Sequence, residues 1–149
     1  MNEIKNHNYY LIIEHLIPTL MVSGIYLSLY SNIYILCLII FFGWLIDLDH
    51  LYDYFLYLKI TKDKASFKYF LTGKYFNFNK KVYVILHSYE LSLLFILISY
   101  ISSREEIYFI FGSYFIHLIQ DQVRNKPKKY GYFISYRFYN KFSLKSFCK

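Results

Sequence analysis

Apolar residues run along this chain in four long blocks separated by short polar breaks. The blocks cover about 9–29, 33–50, 82–102 and 107–123. Tyr30, Ser31 and Asn32 read as one tight turn, and Ser103 to Glu106 as another, so the blocks pair into two helical hairpins. From Leu16 to Ile46, thirty-one residues pass without a charge. A helix needs roughly 20 mostly apolar residues to cross a bilayer. The first and third blocks have that length; the second and fourth reach it when their polar ends sit at the interface. The expected fold class is all-α: an integral membrane bundle of four transmembrane helices with amphipathic cytoplasmic segments. Residues 1–149 then form a single membrane-embedded helical domain. The competing reading is a soluble bundle of unusually apolar helices.

Charge placement decides between them. Of seventeen Lys and Arg, seven lie between Lys59 and Lys81, eight between Arg124 and Lys149, and one is Lys5; only Arg104 falls in the second short turn. With four spans, sixteen of the seventeen share one side. That asymmetry marks the cytoplasmic side, and it predicts an inner-membrane, multi-pass protein with both termini cytoplasmic. The 55–81 region and the tail from Lys126 mix Lys with Tyr and Phe. Such segments suit an anionic lipid surface. The net charge of +7 therefore points to a phospholipid membrane with anionic lipids as partner, and no nucleic acid is expected.

Composition agrees. Hydrophobic residues make up 56% and aromatics 23%, while charged residues are 18%, below the roughly 25% of soluble domains. Cys37, in an apolar run and expected to be buried, and Cys148, near the end, do not make a disulfide framework. Any metal here takes nitrogen and oxygen ligands. No small-residue cleavage site follows Lys5, so no cleaved signal is expected.

After the long uncharged stretch, "GWLIDLDHLYDY" places Asp47, Asp49, His50 and Asp53 within seven residues. His15, His87, Glu90, His117 and Asp121 also fall at block ends. In the four-span topology all of these lie at one depth on the cytoplasmic side, each group from a different helix. Ionisable groups at membrane level are costly and mark functional sites. Asp47 and His50, His50 and Asp53, and His87 and Glu90 are three apart, and His117 and Asp121 are four apart, so each pair shares a helix face. Helical bundles assemble metal sites from such inward pairs. The donor set suits a divalent metal, zinc first, with manganese or iron next, as one or two ions. Glu90 or Asp53, whichever is not a ligand, is the expected general base. Glu14 is about 100° round the helix from His15 and does not share its ion, and His7 reads as a surface residue.

"GWLIDLDH", "LHS" and "HLIQD" resemble signatures of bacterial and archaeal membrane-bound metal-dependent hydrolases, the LexA-regulated inner-membrane type, which look distantly similar to zinc-dependent phospholipase C. The resemblance runs from His15 to Asp121. It implies ligand roles for His15, Asp47, Asp49 or His50, His87, His117 and Asp121. The family often carries a His and an Arg upstream of the HS pair, where this chain has Val82 and Tyr83, and a Pro where it has Ile46. Lys80, Lys81 or Arg124 could supply the missing positive charge.

These readings converge on a membrane-embedded metal-dependent hydrolase of phosphoesters or phospholipid headgroups. No P-loop, Gly-rich dinucleotide loop or serine-nucleophile motif is present. A small metal-ion or proton transporter, and a non-enzymatic protein with a structural metal, are the alternatives.

Overall fold

The computed structural model describes residues 10–147, with side chains from Glu14 onward. Lys5, His7 and Cys148 lie outside the described residues. The chain is all-α. Helix α1 is Tyr10–Leu29 and α2 is Ile33–Gly43; a 3₁₀ turn, Leu45–Asp49, leads into α3, His50–Thr61. Two short helices follow, α4 (Phe67–Phe70) and α5 (Lys74–Asn79). Then come α6 (Tyr89–Ser102), α7 (Ile107–Asn125), α8 (Ile134–Tyr139) and α9 (Leu144–Phe147). The turns expected at 30–32 and 103–106 are where the helices change direction.

Two of the apolar blocks are not continuous helices. The second breaks after Gly43, and the two parts meet at a bend of 64°. The third begins with an irregular segment, 82–88, and becomes helical only at Tyr89, where the Ser88 hydroxyl caps the new helix by accepting the Glu90 N–H. Among the described residues no single helix is long and apolar enough to cross a membrane; the bent pair around Gly43 has the length and composition to do so.

Helices α1, α2, α6 and α7 pack together around Tyr26, Ile35, Ile39, Ile107 and Ile110. Helices α1 and α7 turn polar residues inward. On α1, His15, Thr19 and Ser23 are buried, one turn apart; on α7, Ser113, His117 and Asp121 repeat that spacing. The outward faces carry exposed Leu20, Met21, Ile25, Leu93, Leu97 and Ile101.

A second core lies beyond the bend, between α3, α5 and the tail. Tyr54, Tyr57, Tyr75, Phe76, Val82, Val84, Tyr132, Leu144 and Phe147 are buried in it. The tail is pinned to it where the Val82 N–H donates to the Phe142 carbonyl (2.9 Å) and the Leu144 N–H to that of Lys80 (2.9 Å). The aromatic residues of these two segments are thus divided. Many fill a core, while Phe67, Phe78, Phe138 and Tyr139 remain exposed. Cys37 is exposed rather than buried.

Gly43 sets the close approach of α1, α2 and α7. A Cβ there would lie 2.0 Å from Ser113 Oγ and 2.5 Å from Thr19 Oγ1. Gly43→Ala therefore forces the helices apart, and overpacking of this kind costs about 1–3 kcal/mol. Thermal unfolding of the purified variant should show that loss. Adding Ser113→Gly should recover part of it, because the two changes share one contact.

Candidate metal centre

Three imidazoles from three parts of the chain meet where the two cores join, and each is oriented by a hydrogen bond from its Nδ1. His117, on α7, donates to the carbonyl of Gly43 (3.1 Å), one of the terminal carbonyls that an α-helix cannot satisfy from within. His15, on α1, is held through Pro18. That proline has no N–H to offer the carbonyl of Glu14 four residues earlier, and the Gln120 Nε2 donates to it instead (3.1 Å). The amide is thereby fixed with Oε1 towards His15 Nδ1, which donates to it at 3.0 Å. His87, in the irregular segment, donates from Nδ1 to Asp49 Oδ2 (3.2 Å), which also accepts the Leu86 N–H (2.8 Å).

With every Nδ1 committed, the three Nε2 atoms turn towards Asp47 and Asp121. His87 Nε2 is 3.1 Å from Asp47 Oδ1, 3.3 Å from Asp121 Oδ2 and 3.3 Å from His117 Nε2. His117 Nε2 is 3.5 Å from Asp47 Oδ1 and 3.7 Å from Asp121 Oδ2. Donors 2.0–2.2 Å from a tetrahedral ion stand about 3.3–3.6 Å apart. The four atoms of Asp47, His87, His117 and Asp121 are spaced for such an ion, and all lie within 4.8 Å of one another. Two imidazole nitrogens 3.3 Å apart between carboxylates are placed to share a proton or to hold a metal ion. His15 Nε2 is also buried there without a hydrogen-bond partner, 3.4 Å from Asp121 Oδ1, its ring stacked on His117 at 4.0 Å. The residues present fit a divalent metal ion.

Asp49, His50 and His87 form a second, smaller group. Asp49 Oδ1 is buried without a hydrogen bond, and His50 Nε2 stands 3.8 Å from it and 3.9 Å from Asp47 Oδ1. The Asp47 side chain is 35% exposed and that of His50 15%, whereas those of His87 and His117 are at 1% or less. Asp47 and His50 therefore form the mouth of the site.

The expected general bases lie elsewhere. The Glu90 carboxylate accepts the N–H groups of Ile134 (3.0 Å) and Ser135 (2.9 Å) and the hydroxyls of Ser88 and Ser135. It caps α8 and holds the tail. Asp53 accepts the N–H groups of Tyr83 (3.1 Å) and Val84 (3.3 Å). Spacing of three residues put both on the right helix face, but backbone amides of neighbouring segments took their oxygens. Nor do the suggested cations enter. Arg124 pairs with Glu14 at the surface, and Lys81 Nζ reaches the Tyr83 hydroxyl (3.3 Å).

The tail contributes what sequence reading missed. Tyr132 is buried, and its hydroxyl donates to Asp121 Oδ2 (3.4 Å) while accepting from Asn125 Nδ2 (3.2 Å). Burial, and after it the Asp121 charge, hold this phenol well above its ordinary pKa, so it stays a donor. Arg137, counted among the charges of a lipid-facing surface, is fully buried. Its residue type gave no sign of that; only the pairing of the tail with residues 80–82 brings it inward.

No family model, curated protein or solved structure matches the chain.

Burial pushes Asp53 up to about 7, opposed by the N–H groups of Val84 and Tyr83. Unfolded, it titrates near 4. Between those values the folded chain holds the proton more firmly, so this group's contribution to stability falls as pH rises from about 4 to 7. Asp53→Asn, which does not titrate, should lack that fall in denaturant titrations across the window. Asp53→Ala orphans two N–H groups and should lose about 1–3 kcal/mol for each left unsatisfied.

Proposed function

We propose that this chain is a membrane-embedded, metal-dependent hydrolase of phosphoesters, with a phospholipid headgroup at the cytoplasmic face as the leading substrate. The observation that carries the reading is the convergence of three Nε2 atoms on two carboxylates, each imidazole fixed from behind. Acceptors behind metal-ligating histidines orient the ring and raise its basicity. Asp49, the Gly43 carbonyl and Gln120 fill that role here. The mixed nitrogen and oxygen set favours zinc, with manganese or iron also accepted. A bound ion supplies Lewis-acid activation of water and of a phosphoryl oxygen. Asp47 and His50, at the mouth, are the groups a substrate meets. His50 Nε2, between the Asp47 and Asp49 carboxylates, is placed to take up and return a proton.

The membrane reading rests on an inside-out polarity. Helices α1 and α7 bury His, Asp, Ser and Thr, while the bundle exposes Leu, Ile and Met. Large contiguous apolar patches are rare on soluble monomers, and α1 and α6 alone expose Leu20, Met21, Ile25, Leu93, Leu97 and Ile101. In lipid, close packing through small residues, as at Thr19, Gly43 and Ser113, drives helix association. In this reading the 64° bend after Gly43 would let α3 lie along the cytoplasmic surface, the side to which the four-span topology assigns sixteen of seventeen positive charges. The motif resemblance to membrane-bound metal-dependent hydrolases points the same way. A structural metal is the second reading, favoured by the near-complete burial of His87 and His117.

Metal content of folded, monodisperse protein separates the two. His117→Ala and Asp121→Ala should each remain folded, lose bound metal, and lose phosphoester hydrolysis by more than the roughly 10–100-fold typical of changes to the groups behind metal ligands. Cys37→Ser, at an exposed position, should change neither. Metal loss accompanied by unfolding in both variants would identify a staple, and unchanged metal content would end the hydrolase reading.

Topology has its own check. A reporter active only outside the membrane should give no signal when fused after Lys149 and a strong one when inserted at Arg104. The opposite pattern would place the site on the other face.

A further inference from the structure

Residues 83–88 carry His87, yet they form no helix or strand, so their backbone groups need partners from elsewhere. Side chains supply most of them. Asp53 takes the N–H groups of Tyr83 and Val84, and Asp49 takes that of Leu86. The Tyr114 hydroxyl accepts the Ser88 N–H (3.1 Å) and lies against the carbonyls of Leu86 and Ser88. Three further carbonyls of the segment are held by Arg137. Its Nη1 donates to Tyr83 and Val84 (2.8 Å each), and its Nη2 donates to His87 itself (2.7 Å).

The segment does not hold this shape on its own. Val84 has φ 24°, a conformation that a β-branched residue adopts only when its surroundings impose it. Arg137 grips the carbonyl before Val84, that of Val84, and that of His87. A guanidinium does this because its donors diverge in one rigid plane; an ammonium of similar reach has no such fork. The buried charge serves no surface role, since Arg137 is 0% exposed.

We propose that Arg137 is a positioning residue of the metal centre: it locks the 83–87 backbone so that His87 Nε2 faces Asp47, His117 and Asp121 before any ion arrives. The proposal rests on the metal-centre reading. It makes the tail part of the site, although no described tail residue is among the candidate ligands.

Cobalt(II) is the probe, because its visible spectrum reports the ligand set. Metal-stripped wild type should bind it and show an intense tetrahedral band. Arg137→Lys and Arg137→Met, taken as folded monodisperse fractions, should bind it about 10–100-fold more weakly, with a spectrum matching that of His87→Ala. Folded variants with wild-type affinity and spectrum would overturn the role of Arg137 and leave the metal centre standing. A wild type that takes up no cobalt would overturn the metal centre, and this proposal with it. If neither variant folds, hydrogen exchange on the wild type decides. The amides of Tyr83 to Ser88 should be protected in the metal-stripped protein. Protection that appears only after cobalt is added would mean that the ion, not Arg137, places His87.

Discussion

Burying imidazole nitrogens and carboxylates together, away from water, is tolerable only when hydrogen bonds from the surrounding chain hold most of their polar atoms. An uncompensated buried charge costs several kcal/mol. Each departure from regular structure near the site serves that requirement. Pro18 leaves a helical carbonyl to Gln120, and Gln120 then turns His15. Helix α2 stops at Gly43, whose carbonyl orients His117. The chain stays irregular before α6, so that Asp49, Asp53, Tyr114 and Arg137 can reach the backbone beside His87.

The same requirement explains the division of the molecule. The bundle of α1, α2, α6 and α7 presents polar groups at one end of its interior. The aromatic core of α3, α5 and the tail closes over that end. Neither half completes the site. The bundle brings His15, His117 and Asp121, while the bend brings Asp47 and Asp49. The second core brings Tyr132 and Arg137, which steady Asp121 and His87 from outside the ligand set.

Much of this was legible in the sequence, because helical spacing is a local property. His117 and Asp121, four apart on one apolar helix, had to share a face. The blocks and short turns gave the order in which helices return, and hence the level at which His15, Asp47 and His87 meet them. Spacing said nothing about which carboxylates would be claimed by backbone amides, so Glu90 and Asp53 looked equivalent to Asp47. That outcome depends on irregular segments 82–88 and 126–147, where no period constrains direction. Arg137 was invisible for the same reason. In a run of Lys, Arg, Tyr and Phe, nothing local separates the one cation that turns inward from those that stay at the surface.

The clamp on His87 has a consequence for biosynthesis. Fifty residues separate His87 from the guanidinium that holds its carbonyl. At about 5–20 residues per second, the ribosome needs roughly 2.5–10 s to add them. At the start of that interval α1, α2 and α3 are already made, and α6 and α7 are added within it, while Val84 has no Arg137 to hold its carbonyl. The grip of Arg137 on the His87 carbonyl therefore forms only after residue 137 is made, when α1 to α7 already exist.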